Sequence, residues 1–115
     1  MRAFHDSAVY KAAQGAIGKK EPPEALVLAV SALCDALYER AARTRDDSSE
    51  IGYWTDKLTI ALVKLKRFDE ALRWIRRFED APSAVRGNTA GGVSNVLKKR
   101  RARCEAIVER SPLKS

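Results

Sequence analysis

Lys66-Arg67-Phe68-Asp69-Glu70-Ala71-Leu72 joins two helical patterns with almost nothing between them. On its N-terminal side Trp54, Leu58, Ala61, Leu62 and Leu65 recur at the three- and four-residue spacing of one buried helix face. On its C-terminal side Phe68, Ala71, Leu72, Ile75 and Phe78 do the same, and Asp69 and Glu70 place acids in a first turn, where the helix dipole favours them. So short a connection forces antiparallel neighbours. Residues 50–82 therefore read as a hairpin, its first helix capped by Ser49 and running to about Lys66, its second running from Asp69 to a stop at Ala81-Pro82.

Helical signals continue outward in both directions, and no period-2 apolar run argues for a sheet. Toward the N-terminus, Asp6 or Ser7 can cap a helix ending near Ile17, with Gly18 as a natural stop. After the polar stretch Lys19 to Pro23, a second helix opens on Pro23 and reaches about Arg43, with Leu26, Val30, Leu33 and Leu37 on one face. Thr44 to Ser49 is a polar break. Toward the C-terminus, Arg86 to Gly92 holds Gly87-Asn88 and Gly91-Gly92 and reads as a flexible loop. A fifth helix from about Ser94 to Glu109 follows, with Val93, Leu97, Cys104, Ile107 and Val108 as its apolar positions. The expected fold is all-α, about five helices in a single domain over residues 1–115: a hairpin at 6–43, a second at 50–82, the loop at 86–92 and a basic capping helix at 93–110.

With 45% hydrophobic and 32% charged residues, the chain has enough apolar side chain for a core, which argues against global disorder. Its longest apolar run, Ala25 to Leu33, meets Cys34 and Asp35 well short of the roughly 18 residues a membrane span needs. No transmembrane segment is expected, nor a secretory signal, and the location expected is cytoplasmic. Cys34 and Cys104 are too few and too far apart for a metal cluster and read as free thiols. Cys34 falls on an apolar face as a small hydrophobe, while Cys104 follows a basic run of the kind that lowers a thiol pKa.

Charge is unevenly spread. Of the net +7, residues 86–115 hold +6, with eight Lys/Arg against two Glu. Lys98, Lys99, Arg100, Arg101 and Arg103 put five cations in six residues, a run that suits phosphates, an acidic protein or an acidic membrane surface, or else a solvated helix face. Arg101 shares the side of Leu97 and Cys104, where its stem can cover the core while its head reaches water. Trp74, between Arg73 and Arg76, reads as a contact to a neighbouring helix, the fifth, or as an exposed anchor.

The groups that catalysis requires are missing from the pattern. The one histidine, His5, reads as a solvated residue near the start of the sequence, and there is neither a Gly-rich phosphate loop nor a serine elbow. Asp46-Asp47 sits in a polar loop, and Glu24, Asp69 and Glu70 open helices. No enzymatic activity, metal or cofactor is expected.

The stretch from Tyr53 to Pro82 resembles a tetratricopeptide repeat, in which two antiparallel helices alternate small and large residues so that successive hairpins stack. Lys66 to Leu72 carries the match: a tight turn, then a second helix whose small residue, Ala71, lets the pair approach. Leu58, Leu62 and Ile75 fall at the large packing positions. Thr59 stands where the family prefers a smaller residue, Phe78 occupies another usually small position, and Pro82 comes one residue early. A degenerate second copy is readable earlier, with Ala12, Ala13 and Ala16 followed by Glu24-Ala25-Leu26, which matches Glu70-Ala71-Leu72 at a spacing of 46 residues. The family period is about 34, so this copy carries extra residues.

The resemblance implies a groove lined by the first helix of each hairpin, at Tyr53, Asp56, Ile60 and Val63 and at Tyr10, Gln14 and Ile17. These lack the Lys, Arg and Asn set with which family members grip a C-terminal carboxylate, so an amphipathic helix or extended peptide is the implied guest. The implied function is a protein–protein interaction module, an adaptor or small chaperone. The alternative is a nucleic-acid-binding or regulatory protein acting through the basic C-terminal helix. A homodimer is also open, because a stack of two hairpins leaves apolar ends that a second copy could cover.

Overall fold

The computed structural model describes residues 7–44, 50–81 and 90–110. Among them are five α-helices and no strand: α1 (Ala8–Gly18), α2 (Pro23–Thr44), α3 (Glu50–Lys64), α4 (Phe68–Asp80) and α5 (Ala90–Glu109). No helix among these residues is long and apolar enough to cross a membrane. Ser7 caps α1, its hydroxyl oxygen accepting from the Tyr10 N–H at 3.3 Å. α4 stops where expected, with Ala81 extended at φ −68°, ψ 145°, the conformation favoured before a proline. The expected caps at Asp6 and Ser49, the stop at Pro82 and the polar break at 45–49 lie outside the described residues.

Both short turns are built alike. α3 ends with the Arg67 N–H donating to Leu62 O (2.9 Å) and the Lys66 N–H to Val63 O (2.9 Å), and Lys66 sits at φ +60°. α1 ends with the Glu21 N–H donating to Ala16 O (3.0 Å) and the Lys20 N–H to Ile17 O (3.1 Å), and Lys20 sits at φ +53°. These nested bonds around a left-handed residue capture carbonyls that a helix end would leave orphaned. In each case lysine, not glycine, takes the left-handed position. Lys20 and Lys66 stand 46 residues apart, the spacing of the two Glu-Ala-Leu triplets.

Consecutive helices pack on one another, and α3 in addition touches α5. One continuous core results, built from Val30, Leu33 and Leu37 of α2, Ile51, Leu58 and Leu62 of α3, Ala71, Ile75 and Phe78 of α4, and Leu97 and Cys104 of α5. α1 contributes Tyr10 and Ala13. Two departures from expectation stand out. Residues 90–92 of the expected Gly-rich loop are helical, whereas 86–89 fall outside the described residues. Glycine weakens a helix by about 1 kcal/mol without forbidding its dihedrals, and the buried Leu97 and Cys104 anchor α5 on the core. Trp74 packs toward α2, its ring 6.3 Å from that of Tyr38, and the Arg77 guanidinium lies 4.5 Å from the Tyr38 ring and 5.2 Å from Trp74.

Ile75→Ala, at a fully buried site, is expected to lower stability by about 2–5 kcal/mol. Lys66→Gly removes the crowding of a Cβ at positive φ and is expected to raise it by about 1 kcal/mol. Urea unfolding midpoints of the two variants check both signs.

Candidate partner-binding cleft

Between α1 and the start of α3 lies a cleft of about 420 Å³ lined by Tyr10, Gln14, Ile17, Gly18, Glu50, Tyr53 and Trp54. Four of the seven expected groove residues therefore converge: Tyr10, Gln14, Ile17 and Tyr53. Gln14 is exposed and Tyr53 is 45% exposed, whereas Tyr10 is buried and Ile17 is half-buried against the core. The helix period explains the convergence, because residues 10, 14 and 17 share one face of α1. Glu50 and Trp54 were missed by reading α3 as a single stripe. Both act from its first turns, where the Glu50 Oε1 accepts from the Tyr10 hydroxyl (2.9 Å) and the Trp54 Nε1–H (3.3 Å).

The aromatic rings form the walls. Trp54 stands edge-on to Tyr10 (6.0 Å, 74°) and to Tyr53 (5.0 Å, 88°), and the Lys57 ammonium lies 5.2 Å from the Tyr53 ring centre. Burial, reinforced by the hydrogen bond to Glu50, pushes the Tyr10 hydroxyl up to about 12. Tyr10 thus stays a neutral donor, fixing the carboxylate at the cleft wall.

The other three groove residues are placed differently. Asp56 pairs with Arg100 of α5 at 2.6 Å, and the two side chains keep only 24% and 17% of their exposure. The same Arg100 nitrogen donates to the Thr59 hydroxyl at 3.0 Å. Thr59 is fully buried, and its hydroxyl lies 2.9 Å from Thr55 O and 3.1 Å from Asp56 O, either of which can accept its proton. The Thr55 hydroxyl in turn meets the Tyr38 hydroxyl at 3.2 Å. A polar seam therefore crosses the core from α2 through α3 to α5, every hydroxyl in it partnered. Ile60 and Val63 are half-buried outside the cleft. The capping helix reaches over this part of α3, so Asp56 faces α5 and not an open groove.

The basic run divides in the same way. Arg100 faces α3. Arg101 turns to Glu79 of α4 (3.2 Å) and to Glu105 (3.8 Å), its Nε buried beside Glu79 without an aligned hydrogen bond. Lys98, Lys99 and Arg103 are exposed. What sequence could not say was which cations had carboxylates waiting on other helices. Both thiols are buried, and burial raises both: Cys34 up to about 12, and Cys104 upward despite the nearby Arg100 and Arg103. The basic run therefore does not activate Cys104.

Comparison with family models, with curated proteins and with solved structures returned no match to this chain.

Asp56→Ala leaves the Arg100 guanidinium half-buried without its carboxylate and is expected to lower stability by about 1–3 kcal/mol. Replacing both, as Asp56→Leu/Arg100→Met, is expected to recover most of that loss, which a double-mutant cycle of urea midpoints measures. Tyr10, raised above its unfolded value, contributes stability that is fully present below pH 10 and is lost as pH climbs through 10 toward about 12. Midpoints measured between pH 8 and 11.5 should fall in that window, and fall less steeply in Tyr10→Phe.

Proposed function

We propose that this chain is a protein-interaction module of the helical-hairpin kind, similar to a tetratricopeptide adaptor or small chaperone. It holds a partner by seating an anchor side chain of a peptide or helix in the cleft between α1 and α3. The observation that carries this reading is the cleft itself: aromatic walls, a fixed carboxylate and an exposed tyrosine at the rim, in a volume suited to one anchor and its flanks. The recurrence of one turn geometry at the interval of the Glu-Ala-Leu triplets supports a stack of related hairpins. The rigid Tyr53 ring, which loses little freedom when covered, is the kind of residue that carries binding energy at an interface.

Selection from a displayed peptide library tests the reading directly. Enriched peptides should bind with a change in tryptophan fluorescence, because Trp54 lines the cleft, and Tyr53→Ala should weaken them about tenfold or more while helical circular dichroism stays unchanged. No enrichment, or enriched peptides indifferent to Tyr53→Ala, overturns it.

A further inference from the structure

α5 has an outer face that the cleft does not use. Its inward residues are accounted for: Leu97 and Cys104 are in the core, Arg100 is bound to Asp56 and Thr59, and Arg101 and Glu105 face α4, where Glu105 also meets Arg76 at 3.2 Å. The outward residues differ in kind. Lys98, Lys99, Arg103 and Arg110 are exposed, and at 100° per residue they fall within an arc of about 140°. The residues interspersed within that arc, Ala102 and Ala106, are small, and Glu109 is its one acid. Cations on α4 contrast with these: Arg73, Arg76 and Arg77 all have carboxylates within 4.0 Å. Among the described residues, four exposed cations are therefore displayed as a row along the outer side of α5 and the residue that follows it.

From this row we infer that the outer face of α5 binds the phosphate backbone of a nucleic-acid duplex without reading its sequence. Lys98 to Arg110 spans about 18 Å of helix, a length over which a duplex presents one charge per ~1.7 Å. No aromatic side chain is exposed on this face to stack an unpaired base, which disfavours single strands. The large apolar residue exposed beside this arc is a single valine, Val96 at 46%, too little to hold a helix in a bilayer, which disfavours a membrane surface. Removing Arg100 and Arg101 from the count leaves about four phosphate contacts, so affinity should fall with the logarithm of salt at a slope near −3.6.

The test is fluorescence anisotropy of a labelled 24-base-pair duplex titrated with the full chain from 25 to 200 mM salt. Binding is expected at low salt with a slope between about −3 and −4. Lys98→Gln/Lys99→Gln/Arg103→Gln/Arg110→Gln should abolish it with an unchanged melting temperature, whereas Lys11→Gln/Lys19→Gln/Lys20→Gln should leave it intact. Absence of binding at 25 mM salt, equal loss in both variants, or tighter binding to phosphatidylserine vesicles than to the duplex at matched salt each overturns the inference. Because Tyr53 is remote in sequence and on another helix, Tyr53→Ala in the same assay separates this surface from the cleft: it should not alter duplex binding.

Discussion

A helix flanked by three others must satisfy a neighbour on nearly every side, and α3 is in that position, packed against α2, α4 and α5. It meets the demand with Ile51, Leu58, Ala61 and Leu62 and also with two threonines that are fully buried. Thr59 closes its hydroxyl onto its own helix and accepts from Arg100, and Thr55 answers Tyr38, so α3 is fastened to α2 and α5 by partnered polar groups as well as by apolar area. Such contacts specify register more than they add strength: sliding α5 by one turn would move Arg100 away from both Asp56 and Thr59. α5 thus has a single seat, and that seat decides which cations face outward.

Tyr10 of α1 and Asp56 of α3 make contrasting contacts. They lie 46 residues apart, and each commits its polar tip to a later helix: Tyr10 to Glu50 of α3, Asp56 to Arg100 of α5. The consequences diverge. Between α1 and α3 the contact is a neutral hydroxyl on a carboxylate and leaves a cleft beside it; between α3 and α5 it is an ion pair that draws the helices together. A groove expected to run along both first helices is accordingly confined to the N-terminal layer.

Most of the architecture was legible in the sequence because helical periodicity and the short turn at Lys66 carry it locally: Leu58, Leu62, Ala71, Ile75 and Phe78 are all buried as their spacing implies. Legibility failed where the deciding partner lies far along the chain. Arg100 looks like its neighbours Lys98 and Lys99 until Asp56, far earlier in sequence, is brought beside it, and for Arg101 the side of the helix was legible but its partner Glu79 was not. That Trp74 meets Tyr38 of α2 was hidden for the same reason. Glu50 opens α3, a place the helix dipole favours for any acid, and only the fold puts Tyr10 against it. Gly91-Gly92 misled differently: glycine signals permission for irregular backbone, and α5 did not use it.

The two cysteines, at 1% exposure in different helices, keep both sulfurs out of contact with solvent in the folded molecule. Neither sulfur can meet an oxidant, a metal or another chain unless its helix first lifts away. Each is thereby a built-in clock: the rate at which Cys104 takes up a thiol reagent times the excursions of α5 from the stack, and Cys34 times those of α2.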